Sequence, residues 1–274
     1  MQLKTLLYSL LASWVAVFVW TAIFHKAEVY VPDCSLADSS FAAAATINIK
    51  VYWHVTATSK TVAGGYLTQA TLDKQLSVLN AAFAPHGISF TQAGVDWTVN
   101  SQYANDQDWL AMKKALRKGT YADLNVYITP RTKNLGFWFS TVLGYAYGPH
   151  PAATSGSDAF YLDGIVIRSS TVPGGSETTH NLGHTATHEV GHWLGLLHTF
   201  HGGCTGPGDY VSDTPAEASA SEGCAIGRNS CPGQPGLDPV TNYMDYSDDS
   251  CKTHFTAGQQ TRMYQCWNKF RAGK

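Results

Sequence analysis

The chain has 274 residues, with 18 basic and 20 acidic side chains, a net charge of −2, 12% aromatic residues and only 14% charged ones. That length suits one large domain or two subdomains. No basic block marks a nucleic-acid partner and there is no acidic tail, while low charge with abundant Gly, Ser and Thr suits a secreted enzyme.

Leu6 to Phe24 is a mostly apolar run without charge that follows Lys4. Residues 1–24 read as a secretory signal peptide. An uncleaved anchor is the alternative, because the run is about as long as a membrane span and Trp20 spoils a cut after Ala22. Either way the remainder faces an oxidising compartment, which the six cysteines support. Residues 25–45, with Pro32, a Ser/Asp patch and an alanine run, read as a linker or short pro-segment.

The folded part then begins. In Thr46 to Thr56 the residues Ile47, Ile49, Val51, Trp53 and Val55 share one face of a half-buried strand. Thr71 is placed to cap a helix striped by Leu72, Leu76, Leu79 and Phe83, which Pro85 and Gly87 end. Ile88 to Val99 reads as a strand broken near Gly94. Trp109, Met112 and Leu116 make a short helix that stops at Gly119. Leu124, Val126 and Ile128 form a third strand, ended by Pro130. Leu135 to Gly148 is aromatic and bounded by glycine. Gly164 to Arg168 is an apolar strand, and the turn at Pro173 to Ser176 leads to a helix expected to start near His180.

That helix carries the chemistry. His188 to His198 reads H-E-x-x-H-x-x-G-x-x-H. His188 and His192 leave one helix face and can grip one metal ion. Glu189 is placed to take a proton from a water at that metal. Gly195 can turn the chain with a backbone angle that other residues resist, swinging His198 back as a third ligand. Three imidazoles with an open fourth position are the pattern of a catalytic zinc, and the eleven-residue form matches the metzincin signature. An alternative grip through His180 and His184 lacks the adjacent Glu; surface or supporting histidines are the better reading there. Downstream, Asn242 to Tyr246 fits a Met-turn centred on Met244. Asp209, Asp213 and Thr214 offer hard oxygen ligands, readable as a polar turn or as a structural calcium site. Thr256-x-x-Gln259 is a capping box for a last helix that buries Met263, Trp267 and Phe270.

His188 to Phe200, Gly202-Gly203-Cys204, Asp209 with Asp213-Thr214-Pro215, and the Met-turn with Asp248 to Cys251 together resemble the pappalysin family of metzincin zinc metalloproteases, in its secreted fungal and ulilysin-like branch. The resemblance runs from about Asp163 to Thr256, extends more weakly back to Ile47 and is absent before it. It implies an α+β fold: a twisted, mostly parallel mixed β-sheet with a backing helix and an active-site helix in residues 46–198, then an irregular, disulfide-stapled C-terminal subdomain in residues 199–274. It also implies an edge strand above the zinc helix that pairs with substrate, for which Phe137 to Leu143 is one candidate. Met244 would be the apolar floor beneath the ligands, and Tyr246 would face the zinc. It suggests the disulfides Cys204–Cys231 and Cys224–Cys251 and strengthens the calcium reading. Cys34 and Cys266 are left over. They join the ends of the mature chain, or Cys34 caps the zinc as a latency switch; six cysteines allow fifteen pairings and the sequence does not choose.

The expected protein is thus a secreted, extracellular, monomeric zinc endopeptidase acting on protein or peptide substrates. It has no nucleic-acid partner, and no stable membrane association if the signal is cleaved. Glu189 would be its general base and Tyr246 its oxyanion donor. An inactive protease scaffold with a binding or inhibitory role is the alternative, although such proteins usually lose the Glu or a ligand. Zinc-dependent hydrolysis of a non-peptide bond is a third.

Overall fold

The computed structural model describes residues 31–35, 46–132 and 142–274. Pro32–Lys274 forms one compact unit. The expected leader at 1–24 and most of the expected linker lie outside the described residues. No described helix is long and apolar enough to cross a membrane.

Five strands form one sheet in the order β2-β1-β3-β5-β4: β1 is Ile47–Ala57, β2 Ile88–Val99, β3 Leu124–Thr129, β4 Gly144–Tyr147 and β5 Gly164–Arg168. All neighbours are parallel except β4, which runs antiparallel to β5 and forms one edge. Among the described residues the α-helices are α1 (Gln69–Phe83), α2 (Ser101–Ala104), α3 (Trp109–Leu116), α4 (Asp158–Leu162), α5 (His184–Trp193) and α6 (Ala257–Phe270).

The alternation in β1 puts Ile47, Ile49, Val51, Trp53 and Val55 into the main core with Leu72, Leu79 and Phe83 of α1 and Val190 of α5. From Trp53 onward both faces of β1 are buried, because Tyr127 stacks on His54 from the other side with ring centroids 4.8 Å apart. Near Gly94 the strand does not break. Val51 pairs with Gln92 and Tyr52 with Gly94, so Ala93 is the extra residue of a bulge and pairing resumes beyond it. Helix α1 starts earlier than expected: Thr68 is the N-cap, and Thr71 is the residue whose N–H donates to its hydroxyl.

Most of Phe137 to Leu143 lies outside the described residues, and the described edge strand is the next four residues, β4. Tyr145 and Tyr147 point to one side of it, where Lys113 lies over the Tyr147 ring at 4.6 Å. Gly144 points to the other side, toward α5.

A buried ionic cluster ties the C-terminal end of the chain to the middle of the fold. Asp163 accepts from Arg271 at 2.8 Å, from the Trp193 indole at 3.0 Å and from Arg117 at 3.3 Å. The Arg271 guanidinium lies over the Trp193 ring at 3.7 Å. Trp193 is the last residue of α5, so the end of the closing helix region grips the end of the histidine helix.

All six cysteines are bonded, as Cys34–Cys266, Cys204–Cys231 and Cys224–Cys251. Cys34 therefore carries no free thiolate, and the zinc-capping alternative falls away. Pro32 to Ser35 lies as a strap on α6: Arg262 donates to Pro32 O at 3.0 Å, and Lys269 meets Asp33 at 3.2 Å.

Candidate active site

Helix α5 starts at His184, not near His180. Its first amides have no local cap. The Asp249 carboxylate, brought in from beyond the Met-turn, accepts from Leu182 N at 2.9 Å and from His184 N at 3.2 Å. A carboxylate there also faces the positive end of the helix. At the other end Gly195 N donates to His192 O and Leu196 N to Gly191 O, both at 2.9 Å. This is a Schellman stop, and it requires the φ of +95° that Gly195 adopts. The carbonyl of Gly195 accepts from Arg262 at 2.8 Å, and the Cys34–Cys266 sulfurs occupy the place a side chain at 195 would need. The turn delivers His198 back over the helix.

The three imidazoles converge. His192 Nε2 lies 3.1 Å from His188 Nε2 and 3.0 Å from His198 Nε2. His188 Nδ1 donates to Tyr243 O at 2.7 Å, and His192 Nδ1 donates to Leu196 O at 2.8 Å. Each proton is thereby fixed on Nδ1, so both Nε2 atoms present lone pairs. Lone pairs packed this closely repel unless a cation lies between them. Burial keeps the rings neutral: it holds His192 down at about 4, and His188 and His198 well below the ordinary range. Neutral, buried, convergent nitrogen donors are the ligand set that zinc takes. Among the described residues this is the one group of three that could hold a metal ion. His184 does not join it; its ring packs on Tyr243 at 5.0 Å, and His180 bonds the adjacent Thr179 at the surface.

Met244 is fully buried, and a side chain on Gly191 would run into its sulfur. The Met-turn therefore presses on the helix between its two histidines. Thr199 N donates to Met244 O at 3.3 Å, and the Thr199 hydroxyl donates to Glu217 at 2.8 Å. Glu217 is fully buried and meets Arg228 at 2.8 Å, which also meets Asp238 at 3.1 Å. This ionic cluster fixes the segment that carries His198.

Glu189 is buried, and it lies so close under Gly144 of β4 that a β-carbon added there would stand only 2.9 Å from its Oε1. Burial pushes its carboxyl up to about 8, against the opposing pull of the Lys252 ammonium. Tyr246 closes the other side. Its ring centroid is 4.9 Å from that of His198 and 5.6 Å from that of His188, and Phe200 stacks on His198 at 4.7 Å. Desolvation first, and then the Glu189 charge, push the Tyr246 phenol up to about 12. Asp213 lies away from this centre and caps α6, accepting from Thr256 Oγ1 at 2.7 Å and Gly258 N at 2.8 Å. Asp209 instead accepts from Thr214 Oγ1 at 2.7 Å.

Asp249, Gly191, Gly144 and the Glu217 cluster were not singled out by sequence reasoning. Asp249 falls inside the segment that carries the family resemblance, but nothing local marks it as a cap.

Three comparisons bear on this site. The peptidase family M43, described as pregnancy-associated plasma protein-A, matches residues 119–268. An extracellular metalloprotease of Colletotrichum graminicola is 64% identical over 83% of this chain and 79% of its own length. One from Verticillium alfalfae is 57% identical over 86% of this chain and 81% of its own. Among solved structures, mature mirolysin of Tannerella forsythia in complex with a cleaved peptide superposes with a TM-score of 0.65 at 28% identity, covering 80% of this chain and 90% of that one.

Proposed function

As this chain belongs to the pappalysin family, M43, of zinc metalloproteases, we propose that it is a secreted endopeptidase whose zinc is held by His188, His192 and His198 and whose general base is Glu189. The observation that carries this reading is the convergence of the three Nε2 atoms at 3.0 and 3.1 Å with two of the Nδ1 protons committed elsewhere. Zinc, when bound there, supplies Lewis acidity toward the scissile carbonyl and toward water. Glu189 accepts the proton of the attacking water and hands it to the departing amine nitrogen. A carboxyl raised by its surroundings takes up a proton readily, which favours the first of these two transfers. Tyr246 stays a neutral phenol, able to donate to the oxyanion.

The substrate lies extended against the free edge of β4, using backbone pairing for affinity. Mirolysin's complex with a cleaved peptide supports this class of ligand. Close packing of Gly144 against Glu189 would put a paired peptide next to the base. Residues 1–24 serve as the removed leader, residues 25–45 as linker or pro-segment, and 46–198 and 199–274 as the two halves of a monomeric enzyme; the names of the extracellular relatives support secretion. Calcium at Asp209, Asp213 and Thr214 gains no support: both Asp213 oxygens accept from the start of α6, while Asp209 and Thr214 bond each other.

The test is casein hydrolysis by the secreted protein with phenanthroline, zinc add-back and Glu189→Ala in parallel. Activity is expected to be chelator-sensitive and restored by zinc. Glu189→Ala should retain one zinc per chain and lose about 10²–10⁴-fold or more in turnover. Near-normal turnover in that variant discards the general-base role.

A further inference from the structure

The strap at Pro32 to Ser35 meets one face of α6. Arg262, Cys266 and Lys269 stand at i, i+4 and i+7 of that helix, in line along it. Arg262 Nη2 donates to Pro32 O at 3.0 Å, Cys266 is bonded to Cys34, and Lys269 donates to Ser35 O at 3.0 Å. The strap thus runs along α6 in the same direction and is pinned turn by turn. Arg262 also reaches the end of the histidine helix. Its Nε donates to Gly195 O at 2.8 Å, and this contact and the one to Pro32 are both buried. A guanidinium holds its donors in one rigid plane, so it fixes two carbonyls relative to each other as a flexible ammonium does not.

The turn that Arg262 holds serves two of the three imidazoles. Its next carbonyl, Leu196 O, takes the His192 Nδ1 proton at 2.8 Å, and the chain that leaves it carries His198. The Cys34–Cys266 sulfurs pack against the same turn, where a side chain on Gly195 would stand. We propose that Arg262 is a positioning residue for the metal centre, and that the N-terminal strap belongs to that centre because it aims Arg262 at the Gly195 carbonyl. This rests on the three-histidine zinc reading. Without the guanidinium, Gly195 O is a buried helix-end acceptor that has lost its donor, which is costly to leave unmet. A turn that moves to find another donor shifts Leu196 O, lets the His192 ring rotate and changes the reach of His198. Freeing the strap alone acts more mildly, since Arg262 keeps Gly195 O and loses only the second carbonyl that orients it.

The experiment measures zinc affinity of the secreted protein by competition with a chromophoric chelator, beside the visible spectrum of the cobalt-loaded form, whose bands report ligand geometry. Arg262→Gln is expected to lose about 10-fold to 100-fold in zinc affinity, the range for partners that orient metal-binding histidines, and to shift the cobalt bands. Arg262→Lys, which can serve one carbonyl, should recover part of both. Cys34→Ser combined with Cys266→Ser should move both readouts the same way by less than Arg262→Gln does. Met112→Ala is the control for stability alone: it opens the separate buried cluster with Tyr127 and Val166 and should destabilise the protein while leaving affinity and bands unchanged. Should Arg262→Gln fail to fold, Arg262→Lys and the cysteine pair decide. Wild-type affinity and bands in the Arg262 variants, or an equal loss in Met112→Ala, would overturn the positioning role. No change in the cysteine pair would remove the strap from the metal centre. Tight zinc uptake that ignores Arg262 removes this proposal alone, whereas a wild type that takes up neither zinc nor cobalt removes the zinc reading beneath it.

Discussion

Glu189 and the histidines around it pull the metal-free protein in opposite directions. The Glu189 carboxyl rises from 4.5 to about 8 on burial. Between those values the folded state holds more protons than the unfolded one, so this contribution is full below about pH 4.5 and is lost as pH rises through 8. His192 falls from 6.5 to about 4, so its contribution is full above 6.5 and is lost as pH falls toward 4. Chelated protein should therefore be most stable in mildly acidic solution. Glu189→Gln should remove the alkaline arm: its melting temperature, compared with wild type under chelation, should gain steadily from pH 5 to pH 8. A constant gap across that range would mean that the carboxyl does not titrate there. These residues were readable because a helix places i and i+4 together by geometry alone. Gly191 was not, since its meaning comes from the Met244 sulfur, which arrives from far along the chain.

Elements differ in how much of their boundary is local. The last helix was legible down to its cap because both halves of the capping box, Thr256 and Gln259, sit within its own first turn. The core face of β1 was legible from alternation. The start of α5 was not, because Asp249 reaches His184 N from 65 residues away. Asp249→Ala should cost about 1–2 kcal/mol, the loss of an N-cap, and leave two amides without their acceptor. Thermal melts should show this with the metal removed. The zinc affinity should also fall, since the first turn of α5 leads directly into His188. An unchanged affinity would place the frayed turn outside the metal site.

At the scale of the molecule, the Asp163 cluster holds the histidine helix against the chain terminus. Arg271 is fully buried and bonds both Asp163 and Trp193 O. Replacing it with Met should leave an under-compensated buried carboxylate and cost about 3–5 kcal/mol in urea unfolding. Adding Asp163→Asn to that variant should recover part of the loss. No recovery would mean that packing over Trp193, not charge, is what Arg271 supplies. None of this was visible in the sequence, where Asp163 and Arg271 are single charges far apart with no periodic context.

The strap adds a mechanical consequence. Cys34 and Cys266 are joined across 232 residues of chain. Tension applied outside that span travels through one covalent bond and bypasses the sheet, the histidine helix and the Met-turn. In an optical trap the oxidised protein, pulled from handles beyond residues 34 and 266, should resist as an inextensible link. After reduction the same protein should open and release about 800 Å of contour, at roughly 3.5 Å per residue.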